Sequence, residues 1–452
     1  MEIDDLFEGR NMEQQKLVNN FFEIHFYEWF TYSENFDPEI VNSTLKLINE
    51  FELSTYVLKP ESVQDILQEV YMELIPDKLR HLMGEYFSPD WIVEFVLNSI
   101  DYNGDIEKSL IDPTAGSGPF PVQALKRIIS NNPNLTKEQV IKITHNIIGF
   151  DLNPISAVSA KANYIFTLFS AIFDLLENFG EPISIPIYIA DSVLAPVVYT
   201  EESASSLVTK TSIGDFEIPK FTTYKQAAQF LDLISESIQR EEPYEVFWVK
   251  ASRLDISEDV EPIIKTLFSR LYSLHRAGKD SFWPRILKNS FAPVMIGNKF
   301  DYVVGNPPWI GWKSMSKTYR EGTLDVWQSY GIFEKSAYDK KTTHDDFGMA
   351  VTYVAMDQYL KEGGKMGFLL PASFIKSTKG GEGFRKLSII RNGQDIPFAI
   401  EAINDFSNVK LFTVPTMEVV FTKGQEMIYP MNNYFIWNLI GKKTAFNSHS
   451  KW

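Results

Sequence analysis

Residues Ser109–Ser130 read SLIDPTAGSGPFPVQALKRIIS. A short apolar run, Ser109–Ile111, meets the turn DPTAGSG (112–118), and a helix-like stretch follows. Small residues between a strand and a helix let the backbone approach a bound ligand closely. No Lys-Ser/Thr follows the second glycine, so this is not a phosphate-gripping P-loop. Taken alone, the same residues also suit a plain strand-to-helix turn.

The same phrasing recurs outward along the chain. Ile147–Phe150 leads into DLNP (151–154) and a long helix, which Asn153 can cap with Pro154 in its first turn. Ile185–Ile189 leads into ADS (190–192), and Tyr302–Val304 into GNPPW (305–309). Met349–Leu360 has helical spacing up to Gly363-Gly364, and KMGFLL (365–370) reads as the next strand. Phe398–Ile403 and Met417–Phe421 read as two more. Strands alternating with helices predict an α/β fold with a mostly parallel sheet. In such sheets ligands bind beyond the carboxyl ends of the strands, where each of these tetrapeptides falls.

Composition narrows the classes. The chain has 452 residues, 44% apolar and 23% charged, and at roughly 100–200 residues per domain it holds two to four units. It contains no cysteine, which excludes disulfide scaffolds, thiolate zinc sites, iron–sulfur clusters and cysteine nucleophiles. The six histidines are scattered without metal-ligand spacing, and His344-Asp345-Asp346 reads as a helix start. No uninterrupted apolar run reaches the roughly 20 residues of a membrane span, and the best stretch, Asn163–Leu176, is short. The acidic N-terminus lacks a signal-peptide pattern, so no membrane association and a cytoplasmic location are expected. The formal charge of −16 is uneven: residues 301–452 carry 18 Lys+Arg against 15 Asp+Glu, and residues 1–300 carry 25 against 44. Contact with an anion is therefore expected in the last third.

The expected organisation is a helical N-terminal domain (1–83), two parts of one α/β domain (84–194 and 300–425), an inserted subdomain (195–299), and a tail or the start of a recognition domain (426–452). Residues 376–391 (KSTKGGEGFRKLSIIR) read as a mobile basic loop, with Lys376, Lys379, Arg385 and Lys386 as candidate contacts to a nucleic-acid backbone.

Three successive strand ends carry acids: Asp112, Asp151 and Asp191. A carboxylate at such an end can accept from a ribose diol or an amino group, although a helix-start acid has the same look. Asn306-Pro307-Pro308-Trp309 is the most specific segment. Its two prolines remove two N–H donors, so the backbone offers acceptors only. The Asn306 side-chain oxygen and the Pro307 carbonyl can both accept from one NH₂ group, and Trp309 offers a face for a planar base.

The order GEYFSP (84–89), DPTAGSG, GFDLNP (149–154), ADS and GNPPW, followed by residues 345–374 and KLFTVPT (410–416), resembles the gamma class of adenine-N6 DNA methyltransferases of restriction–modification systems. The likeness covers about residues 80–425. It implies a Rossmann-like sheet binding S-adenosylmethionine. Tyr86, Ser88 and Pro89 would meet the methionine part of the cofactor. Asp112, Ala115, Gly116 and Gly118 would line its amino-acid and sulfonium end, Asp151 would bind the ribose and Asp191 the adenine amino group, and Phe347 would lie beside the cofactor at the start of the next helix. Phe412 would stack on a flipped target base opposite Trp309. The implied partners are double-stranded DNA and a separate specificity subunit or recognition domain. Methylation of an RNA base or a protein glutamine, and a non-catalytic scaffold of the same fold, are the competing readings.

Overall fold

The computed structural model describes residues 17–18, 20, 87–176, 178–193, 206–211, 214–221, 224–254, 256, 258–276, 300–333, 345–378, 380–391 and 394–440. The helical domain expected over 1–83 lies outside the described residues, save three positions. Of these, Val18 bridges Ile183, and the Asn20 side chain exchanges hydrogen bonds with the backbone of Ile185.

Eight strands form the path of the main sheet, in the order β11 (Tyr434–Ile436), β9 (Gln394–Asp405), β10 (Thr416–Lys423), β7 (Leu360–Pro371), β6 (Phe300–Gly305), β1 (Leu110–Asp112), β2 (Ile147–Asp151) and β3 (Ile187–Ile189). Its parallel half comprises β1 (Leu110–Asp112), β2 (Ile147–Asp151), β3 (Ile187–Ile189), β6 (Phe300–Gly305) and β7 (Leu360–Pro371). The chain steps from β1 to β2 to β3 on one side, then returns to place β6 against the other side of β1. The two strand runs thus diverge between β1 and β6, which opens a crevice at their carboxyl ends.

Side chains alternate across this sheet with the strand period of two. Leu110, Ile147, Ile187, Val304, Leu369 and Val420 join one core with the helices α1 (Asp90–Ser99), α2 (Pro119–Asn131), α3 (Lys137–Asn146) and α4 (Pro154–Leu176). Ile111, Ile148, Tyr188, Val303, Phe368 and Val419 join a second core on the opposite face. Both faces are covered, which explains why the strands read as continuous apolar runs rather than as alternating ones. The helix starts have local causes. Thr136 and Gln139 close a capping box on α3, and Asn153 Oδ1 accepts from Ile155 N–H at the head of α4. Helix α4 is long and apolar enough to cross a membrane by length and composition, whereas the sequence run alone looked shorter. Yet 72% of that window is buried inside the protein.

The other half of the sheet departs from the mostly parallel expectation. Strand β10 (Thr416–Lys423) runs antiparallel to both β7 and β9 (Gln394–Asp405), β8 (Ser388–Arg391) pairs antiparallel with β9, and β11 (Tyr434–Ile436) pairs parallel with it. A second difference concerns residues 347–370. The helix α5 (Phe347–Val354) ends in a π turn at Ala355–Tyr359, and β7 begins at Leu360 and runs through Gly363-Gly364 instead of starting after them. The buried Lys423 amino group explains the early stop, because it donates to the carbonyls of Met356, Asp357 and Leu360 and satisfies acceptors that the helix leaves open.

Within the segment expected as an insert, the hairpin β4 (Ser206–Thr211) and β5 (Gly214–Pro219) packs with helices at Tyr224–Gln239, Tyr244–Ala251 and Glu261–Arg276 around a core of its own that includes Phe230, Phe247 and Phe268. Among its described residues the basic segment 376–391, expected as a loop, carries regular structure. It contains a short helix ending at Lys376, a 3₁₀ turn at Phe384–Lys386 and strand β8, and Tyr353 donates to the carbonyls of Gly383 and Phe384. Its buried Phe384, invisible in a count of charges, anchors it.

Gly118 shows how closely the first turn is built. It takes φ +83° just before α2, and a Cβ there would lie 2.9 Å from the Ala160 Cβ on α4. Gly118→Ala is expected to lower stability by about 1–3 kcal/mol, read as an earlier midpoint in urea denaturation.

Candidate active site at the strand ends

A cavity of about 680 Å³ opens beyond the carboxyl ends of β1, β2, β3 and β6. Asp112, Asp151, Asp191 and Asn306 all line it, so side chains separated by up to 194 positions share one wall. Ser88, Ala115, Gly116, Pro308 and Phe347 line it as well. Tyr86 and Lys379 lie outside the described residues. Pro89 precedes α1 as its N-cap, and Gly118 lies behind the lining where α2 begins.

Each acid is held differently. Asp112 is buried, and its Oδ1 accepts from Thr114 N–H at 2.9 Å. Burial pushes its carboxyl well above the ordinary carboxylate range, and the nearby Asp151 charge adds to this while Thr114 opposes it. Asp151 joins two loops: its Oδ2 accepts from Gly116 N–H at 2.8 Å and its Oδ1 from Asn153 N–H at 2.7 Å. Asp191 accepts from Val193 N–H at 2.9 Å and, through Oδ2, from the Tyr319 hydroxyl at 2.8 Å.

The GNPPW turn abuts the first acid. A Cβ on Gly305 would fall 2.8 Å from Asp112 Oδ1, so only glycine lets β6 end this close to β1. Asn306 Nδ2 donates to Ser88 Oγ at 3.2 Å, which joins the segments around 88 and 306 in space. The chain after NPPW then pairs with the head of α5: Phe347 N–H donates to the Ile310 carbonyl at 2.8 Å, and Trp312 N–H to that of Asp345 at 2.9 Å. These bonds place Phe347 in the cavity wall.

The expected aromatic sandwich takes another form. Trp309 is 7% exposed, sits in the core beside α1, α2 and α4, and meets Phe412 edge to face at 5.1 Å and 87°. Two rings in edge contact leave no base-wide slot between them, so the facing arrangement expected from sequence is absent in this conformation. The basic residues also have protein partners. Lys376 pairs with Asp405, Arg385 donates to the carbonyls of Phe374 and Gly380, and Lys386 to that of Gly331.

Sequence reasoning missed Tyr319. It lies on the short helix Lys317–Gly322, reaches Asp191, and meets Phe347 edge to face at 5.5 Å. No motif marks it, because its role comes only from the return of the chain over the cavity.

The family model described as Eco57I restriction-modification methylase matches residues 145–412. The chain belongs to this family. The model described as N-6 DNA Methylase also matches residues 62–169, so together the two matches span both halves of the cavity. Among curated proteins, the chain is similar to the Type II methyltransferase M.HincII of Haemophilus influenzae, with 27% identity over 166 residues, covering 36% of this chain and 30% of that one. Among solved structures it is similar to the DrdV–DNA complex, with 14% identity, a TM-score of 0.46, and coverage of 83% of this chain and 30% of that one. It is also similar to a putative class I S-adenosylmethionine-dependent methyltransferase from Listeria monocytogenes, with 10% identity, a TM-score of 0.44, and coverage of 90% and 80%.

One acid of the site reports on pH. Asp346 caps α5 by accepting from Gly348 N–H at 3.0 Å, and burial raises its carboxyl to about 7 against the pull of its backbone donors. The ordinary value for an aspartate, taken for the unfolded chain, is 3.8. Between those values the folded state holds the extra proton, so this group makes stability fall as pH rises from about 4 to about 7. Asp346→Asn keeps a capping oxygen and removes the titration. Its stability relative to wild type is therefore expected to improve from pH 5 to pH 8 in parallel denaturation series.

Proposed function

We propose that the chain transfers a methyl group from S-adenosylmethionine to the exocyclic N6 of an adenine flipped out of DNA. The observation that carries this reading is the shared cavity: Asn306 and Pro308 of the NPPW turn line the same 680 Å³ space as Asp112, Asp151 and Asp191.

The residues present suit the cofactor. The cavity falls within the roughly 300–1,000 Å³ range of small-molecule sites, and its lining is mostly apolar with a few polar groups. Ser117 Oγ is buried in that lining with no hydrogen-bond partner among the described residues, as expected of a group that waits for a ligand. Acidic side chains at three strand ends fit a cationic ligand that also carries a ribose and an amino-bearing base. The raised Asp112 carboxyl would regain its charge beside a cation. When bound, the cofactor supplies an electrophilic methyl group on a sulfonium.

The remaining work falls to the chain. Asn306 Nδ2 donates to Ser88 Oγ, so Oδ1 is the amide atom that would accept one amine hydrogen, and the Pro307 carbonyl would accept the other. Acceptors on both hydrogens draw the nitrogen lone pair out of conjugation with the ring. They also fix the nitrogen in line for direct displacement, so positioning supplies much of the rate. The nitrogen–methyl bond would form as the methyl–sulfur bond breaks and a neutral thioether leaves, and the methylated nitrogen would then release its extra proton to water. No covalent intermediate with the protein is needed, which agrees with a chain that has no cysteine. The adenine must leave the stack to reach this recess, and the Trp309–Phe412 pair must part to hold it between two faces. Lys376, just past the carboxyl end of β7, is exposed at the same edge of the sheet and would contact a phosphate by exchanging its Asp405 partner for it.

Asn306→Ala is expected to lower methylation of host DNA by on the order of 10²-fold or more while affinity for S-adenosylhomocysteine changes only a few-fold. The assay is adenine-methylation mapping after expression in a methylation-deficient host, with calorimetry on the purified proteins. Methylation at one short motif by the chain alone would place sequence recognition within it. Methylation that appears only with a second subunit would place recognition there. Undiminished methylation by Asn306→Ala contradicts the proposal.

A further inference from the structure

The nucleoside end of the cavity holds a contact that the transfer reaction does not explain. Tyr319 extends from the Lys317–Gly322 helix and donates its hydroxyl hydrogen to Asp191 Oδ2 at 2.8 Å, while Val193 N–H donates to Oδ1 at 2.9 Å. The carboxylate is therefore gripped from two separate segments, one following β3 and one returning after β6. The helix that bears Tyr319 is itself fixed, since Ser316 Oγ accepts from Tyr319 N–H and Thr323 Oγ donates to the Tyr319 carbonyl. The tyrosine ring packs edge to face on Phe347, which also lines the cavity.

Each carboxylate oxygen can accept from more than one donor. The Val193 and Tyr319 donors, coming from two segments, fix the plane of the Asp191 carboxylate and so the directions in which its oxygens accept from a ligand. A purine amino group is a donor that such an oxygen accepts. A keto group at the same position presents a second acceptor to an anion and is rejected. Burial, reinforced by the Asp191 charge, pushes the Tyr319 hydroxyl well above its ordinary value, so it remains a donor throughout the neutral range.

We propose that Tyr319 is a positioning residue that makes this end of the cavity selective for an amino-bearing purine by fixing the Asp191 carboxylate. The inference rests on the cofactor reading above and adds to it the residue that sets base preference.

The test is titration calorimetry of the full chain with S-adenosylhomocysteine and with its deaminated counterpart, S-inosylhomocysteine. Wild type prefers the adenosine form. Tyr319→Phe keeps the ring contact with Phe347 and is expected to shrink that preference by on the order of tenfold, with little change in affinity for the inosine form. Asp191→Asn shrinks it as well, and the double variant shows no further loss, because Tyr319 acts through Asp191. Circular dichroism melts verify that all three variants are folded. A preference unchanged in Tyr319→Phe, or a double variant whose losses add, overturns the inference and leaves the cofactor reading standing. A wild-type chain that binds neither compound overturns both.

Discussion

One hydrogen bond organises the site. Gly116 N–H donates to Asp151 Oδ2 across 2.8 Å and so joins the loop after β1 to the end of β2. The same carboxylate accepts from Asn153 N–H, one residue before α4 begins at Pro154. A single side chain thereby sets the spacing between two strand ends and the start of the longest described helix. A ribose bound at Asp151 would meet a group already oriented by the backbone, so ordering it costs nothing further on binding.

The second constraint is steric. Strands β1 and β6 lie side by side although 187 residues separate Asp112 from Phe300, and Gly305 lets them converge where a methyl group would strike Asp112. This convergence brings a buried acid and the NPPW turn into one cavity. Ser88 then bonds Asn306, and the Ile310–Phe347 backbone bond closes the wall from the far side. The geometry depends on contacts between distant segments, each short and polar, laid over an apolar sheet filled on both faces.

Much of the α/β half was legible because its signals are local. The DPTAGSG and DLNP turns each mark a strand end and a helix start, and strands covered on both faces read as apolar runs whatever lies beyond them. The antiparallel half was less legible. Strands β9 and β10 have the same apolar character as the parallel ones, and nothing within Met417–Phe421 says that it slots between β7 and β9. The end of α5 was misplaced because its terminator is Lys423, a residue 63 positions beyond Leu360. The four polar residues at strand ends could be placed on one edge from topology alone. Tyr319 could not, since it owes its position to the path of a returning segment, and the edge contact of Trp309 with Phe412 is a tertiary detail that no spacing encodes.

The central claim is that one cavity seats the cofactor with its reactive end toward the NPPW turn. A crystal structure of the chain with S-adenosylhomocysteine tests it most directly. The account predicts the ribose at Asp151, the adenine toward Asp191, and the sulfur facing Asn306 and Pro307. Ligand density outside this cavity, or a sulfur turned away from Asn306, would contradict it.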